Sequence, residues 1–216
     1  MKIKTLMAAA TLAATFGAGS AQAASFVTLP GSAAAFAAPA GGTAVTFDGA
    51  LPAGFNLTTT LASVITGSTG ISAQPAFSDG SAYLSVSAGG SADLTSTSIG
   101  YQSVSLFLGS IDSFNSIQLL DTLGNVIGSW PGWEFTTPAN GDQVIPNTNR
   151  RITFTRSDSD AMIGGVRFAS EFNALEVDNV VFAVPEASTW AMMLLGFGLA
   201  GMAIRSRRRQ TKVVFA

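Results

Sequence analysis

The sequence has no cysteine and no histidine. The first absence excludes disulfides, thiol nucleophiles and thiolate metal sites. The second removes Ser-His and Cys-His catalysis and imidazole ligands. Charge is scarce, at 11% of residues against roughly 25% in an average soluble domain. Lysine is missing from residues 24–186, where four arginines face thirteen acids for a net charge of −9. That sign argues against nucleic acid as a partner, because phosphates need a basic face. The other seven basic residues lie at the two ends: Lys2, Lys4, Arg205, Arg207, Arg208, Arg209 and Lys212. In place of charge there are 23 glycines and abundant serine and threonine, which keep the surface wet.

The basic ends are explained by membranes. Lys2 and Lys4 precede an apolar run from about Leu6 to Ala18, and Ala21-Gln22-Ala23 follows. A positive start, a short apolar stretch and an A-x-A site are the parts of a secretory signal peptide, here residues 1–23. At the other end, Ala187 to Ile204 are 18 residues without charge. As a helix they span about 27 Å, enough for one transmembrane helix. Trp190 sits where an interfacial aromatic belongs. Arg205, Arg207, Arg208 and Arg209 would hold a cytoplasmic tail, 205–216, on the inner side of the membrane.

Pro185-Glu186-Ala187, the run from Trp190 to Gly198 and the arginine cluster resemble the PEP-CTERM sorting signal of Gram-negative bacteria. Residues 185–216 carry the resemblance, with Ala187 where the common motif has a second proline. It implies that the chain is an exosortase substrate. Such a chain is anchored transiently in the inner membrane, then cut near the motif and passed to the cell surface or released. It further implies an association with exopolysaccharide and biofilm.

Between the two signals, residues 24–42 are rich in Ala, Gly and Pro and read as a flexible leader. Residues 43–184 carry short alternating segments such as Tyr83–Ser87, Val104–Leu108, Ile152–Thr155 and Val166–Phe168. Asp79-Gly80, Gly89-Gly90, Pro131-Gly132, Asn140-Gly141 and Gly164-Gly165 punctuate them. This pattern predicts an all-β fold, a single antiparallel β-sandwich of nine or ten strands. The alternation places Leu106, Leu108, Leu119, Ile152, Phe154, Val166, Phe168 and Val180 in its core. The stretches Tyr101–Asp112, Asn115–Asp121 and Asn173–Phe182 resemble the middle and last strands of jelly-roll domains akin to carbohydrate-binding modules.

Trp130-Pro131-Gly132-Trp133 sets two indoles beside a turn, and sugar rings stack on exposed aromatics. Trp130 and Trp133 are therefore the candidate glycan-binding residues. The jelly-roll resemblance places the first and last strands side by side. It implies a structural calcium site at Asp48 and Asp178, the only cofactor expected. No catalytic residues are expected. Glu176 and Asp178 share one strand face, and paired carboxylates can hydrolyse glycosides, but the third acid that similar jelly-roll glucanases carry beyond such a pair is missing, since Val180 and Phe182 follow. The expected function is thus a non-enzymatic, exported surface or matrix protein that binds glycan. A carboxylate-based hydrolase of the exopolysaccharide is the alternative.

Overall fold

A computed structural model describes residues 24–98, 100–184 and 187–208, with side chains in the last segment described for 193–205. The elements, in order, are β1 (Ala24–Pro30), α1 (Ala33–Phe36), β2 (Thr43–Val45), β3 (Phe55–Ile65), β4 (Tyr83–Ser96), β5 (Ser103–Gly109) and β6 (Asn115–Asp121). There follow β7 (Val126–Pro131), a 3-10 turn (Gly132–Glu134), β8 (Arg150–Arg156), β9 (Ile163–Ser170), β10 (Leu175–Ala183) and α2 (Ala187–Arg208). Alternation makes the strands. Along β6, Ile117 and Leu119 are buried while Ser116 and Gln118 are half-exposed, the period of a pleated strand with one face on a core.

Every strand pair is antiparallel. The order is β1-β8-β5-β10-β4-β9-β6-β7, with β2 on β10 and β3 on β4. The expected antiparallel all-β fold is hydrogen-bonded as one continuous sheet, curled almost into a barrel. The junction is β4. Its first part pairs with β10 through Leu84–Val86, and its second part pairs with β9 through Gly90–Thr95. Between them the register with β3 jumps, so that Leu61 alone faces Ser87–Gly90. Gly89 takes φ 68° there. A Cβ on Gly90 would come within 2.6 Å of the Leu61 carbonyl. A glycine pair thus bends the strand and closes the sheet.

All eight expected core residues are at most 1% exposed. Two ring clusters brace the interior: Phe26, Trp130, Phe135 and Phe154, and Phe55, Tyr101 and Phe182. Each fully buried ring contributes about 1.5–3 kcal/mol.

Residues 24–42 are not a flexible leader. β1 pairs with β8 from Ala24↔Arg156 to Pro30↔Arg150, and Phe26 enters the core. Ser32 caps α1, its hydroxyl accepting from the Ala35 N–H at 3.0 Å. Phe36 then packs edge-on against Phe107 at 5.2 Å. Arg151, 4% exposed, donates to the carbonyls of Ala35, Phe36 and Asn179. The last turn of α1 is thereby fixed to β8.

At the C-terminus α2 occupies the segment expected to span a membrane. Among the described residues no helix is long and apolar enough to cross one. The signal peptide 1–23, Pro185, Glu186, Arg209 and the rest of the tail lie outside the described residues.

Candidate functional site

The two tryptophans part company. They stand three positions apart, and a strand followed by a turn sends them to opposite sides. Trp130, next to last in β7, lies on the core face, 1% exposed, with its ring 4.7 Å from that of Phe154. A Cβ on Gly128 would collide with this indole, so the glycine makes the space that Trp130 fills. Trp130 is therefore a core residue and offers no face to a sugar. Trp133 lies in the 3-10 turn and is 59% exposed. Gly132 lets that turn sit against the loop before β6, since a Cβ there would collide with the Asp112 carbonyl.

Trp133 flanks a groove of about 530 Å³, within the range of small-ligand sites. Gly89, Gly90, Ser116 and Ala169 from β4, β6 and β9 give it a floor of small side chains. Phe114 and Glu171, in the loops that lead into β6 and out of β9, line it with Trp133. The Phe114 ring meets Phe172 edge-on at 5.3 Å, and Phe172 is itself 61% exposed. Asn115, 2% exposed, fixes the corner. It accepts from the Asp112 N–H at 2.8 Å and donates to the Ser170 hydroxyl at 3.0 Å and the Ala174 carbonyl at 3.3 Å.

The groove opens onto a polar sheet face. Register aligns Thr60, Ser91, Ala169, Ser116 and Pro131 across β3, β4, β9, β6 and β7. The next row is Thr58, Asp93, Arg167, Gln118 and Ser129. Their alternate neighbours, such as Ala92, Phe168 and Ile117, belong to the core, so both rows face outward. Arg167 is held there by a bidentate pair with Asp93, both bonds at 2.7 Å.

The other acids lie elsewhere. Glu176 and Asp178 share the outer face of β10, but at 2% and 1% exposed they are buried against the segment before β4, which supplies Ser72, Ala73 and Ser81. Glu176 accepts from the Ser72 hydroxyl, the Ala73 N–H and the Ser110 hydroxyl. Burial pushes its carboxyl up, against those hydrogen bonds. Asp178 accepts from the Asn179 N–H at 2.6 Å and from Ser81. Burial, with repulsion from Asp48 and Asp79, pushes it up to about 7. Glu176 and Asp178 are thus both buried and held by hydrogen bonds. Asp48 accepts from the Ala82 N–H at 2.9 Å. Structure brings Asp48 and Asp178 near enough to repel. Among the described residues no group of three or more acidic side chains is placed to hold a metal ion.

Arg151 is buried beneath α1. Burial lowers its guanidinium to about 10, partly offset by the charge of Asp178. Phe114, Phe172 and Glu171 escaped the sequence reading. Their signal is an aromatic set among polar loop residues, out of strand alternation: Ser113-Phe114-Asn115 and Glu171-Phe172-Asn173.

Residues 183–209 match the family model of the PEP-CTERM protein-sorting motif. The chain carries that sorting motif. It implies export. No curated protein matches the chain. Among solved structures, the cleaved K2 adhesin domain of Lys-gingipain is similar at 17% identity and TM-score 0.43, over 66% of this chain and 97% of that one. A family 29 carbohydrate-binding module complexed with mannohexaose is similar at 12% and 0.39, over 65% and 89%. A carbohydrate-binding module from Clostridium stercorarium in complex with cellobiose follows at 14% and 0.36, over 60% and 87%. At such distances these likenesses say nothing of ligand or activity.

Proposed function

We propose that this is an exported, exosortase-sorted surface or matrix protein that binds glycan without cleaving it. Export rests on the sorting motif at 183–209 together with the signal peptide 1–23. The apolar run 187–204 is the transient inner-membrane anchor, with Arg205, Arg207, Arg208 and Arg209 on the cytoplasmic side. Pro185, Glu186, Ala187 and Trp190 form the segment exosortase recognises. Exopolysaccharide of the biofilm is the proposed partner.

The single observation that carries glycan binding is Trp133. An indole 59% exposed beside a groove floored by glycine, alanine and serine is a stacking surface next to hydroxyl-bonding groups. Glu176 and Asp178, the acids that a hydrolase would use, lie covered. A calcium ion between Asp48 and Asp178 belongs to the same proposal. It would relieve their repulsion, with backbone carbonyls and water completing the six to eight oxygens calcium needs.

The test is co-sedimentation of the full chain, in nonionic detergent, with exopolysaccharide secreted by its own host. The wild type should pellet with the polymer and Trp133→Ala should not. Equal pelleting of both variants would exclude the groove. Release of reducing ends by the wild type would favour the hydrolase.

A further inference from the structure

We infer that the groove beside Trp133 selects glycans that carry no uronate, sulfate or phosphate groups. This rests on the glycan-binding reading above and names the class of ligand that the site takes. Recognition of anionic sugars uses arginine or lysine, whose donors match carboxylate and sulfate oxygens. Residues 24–184 hold no lysine and four arginines, and the structure commits each of the four elsewhere. Arg151 is 4% exposed and bonded to three backbone carbonyls and Ser105. Arg150 donates to Thr28 and Thr136. Arg156 donates to the carbonyls of Ser157 and Asp160.

Arg167 alone stands on the same sheet face as the groove floor, two residues along β9 from Ala169. Its guanidinium is engaged twice at 2.7 Å by Asp93, so its charge is neutralised where an anionic polymer would pass. Among the described residues the groove itself contributes one charged side chain, the carboxylate of Glu171. Glu134 follows Trp133 directly. A uronate stacked on Trp133 would meet carboxylates and no free cation. An uncharged sugar would find the aromatic face and hydrogen-bonding groups at Ser113, Ser116 and Glu171.

The experiment is a carbohydrate microarray printed with galactomannan, mixed-linkage β-glucan, alginate and dextran sulfate. It is probed with the full chain in nonionic detergent at physiological salt, where screening limits repulsion to about 8 Å. The expected result is binding to one or both neutral polymers, lost in Trp133→Ala, with alginate and dextran sulfate at least tenfold weaker. Trp133-dependent binding to alginate or dextran sulfate at equal or greater strength would overturn the selectivity and leave glycan binding standing. An absence of Trp133-dependent binding to all four polymers, and to the host exopolysaccharide, would overturn both.

Discussion

Arg151 and Phe36 are joined by a 2.7 Å hydrogen bond from guanidinium to backbone carbonyl, linking β8 to a helix more than a hundred residues earlier. With the bonds to Ala35 and Asn179, this one side chain holds α1 over Phe107. Arg151→Ala should therefore take this donor from the Ala35 and Asn179 carbonyls, while the Phe36 carbonyl keeps its bond from Asn179 Nδ2, and lose the packing of the arginine stem. The expected cost is about 2–4 kcal/mol, read as a lower Tm. Limited proteolysis should then cut near residues 31–42 in the variant and spare the wild type.

Gly128 and Trp130 fit each other inside the core, and Trp133 stands outside it. Trp130→Ala should cost about 3–5 kcal/mol. Gly128→Ala should cost about 1–3 kcal/mol, because the added methyl meets the indole. Trp133→Ala should change stability by no more than about 0.5 kcal/mol. Chemical denaturation of the three variants reads all three values. A large loss of stability in Trp133→Ala would mean that the indole supports the fold rather than a ligand.

Asp178 makes stability depend on pH in an unusual direction for an acid. Its folded pKa is raised from 3.8 to about 7, so the folded state holds a proton the unfolded state releases. The stabilisation from that proton is complete below about pH 4 and is lost as pH rises through about 7, to the order of 4 kcal/mol at most. Glu176, also raised, acts with the same sign. Asp79 and Asp121, lowered by hydrogen bonds, act oppositely, below the ordinary carboxylate range. Thermal melts should thus give a higher Tm at pH 5 than at pH 8, and Asp178→Asn should flatten the difference. Calcium between Asp48 and Asp178 would take the place of the proton. Chelation at pH 8 should then lower the Tm of the wild type and leave Asp178→Asn unchanged.

Strand alternation made most of the fold legible. Leu106, Leu119, Phe154 and Phe168 each follow a polar residue at strand spacing, and all are buried. Residues 24–42 were not legible in the same way. They are rich in Ala, Gly and Pro, and what orders them is remote: the ladder to β8, a ring cluster around Phe26 and the arginine at 151. The continuous sheet was hidden for a similar reason. Gly89-Gly90 reads as a turn between strands, whereas it is a bend within one, visible only once β3 is seen to run past it. At the site, composition flagged the Trp130–Trp133 segment, but the parity of a three-residue offset decides which indole is outside. Phe114, Phe172 and Glu171 join Trp133 through strand pairing of β6 with β9, a relation that local spacing does not carry.

Export, processing and glycan retention meet in one measurement. It is the partition of the chain between cytosol, cell-bound matrix and medium in its own host, with intact mass recorded in each fraction. The account predicts that the wild type is found in the matrix without residues 1–23 and without the arginine-rich end beyond about Glu186. Trp133→Ala should be processed identically but released to the medium. Full-length chain in the cytosol, or equal retention of both variants in the matrix, would contradict it.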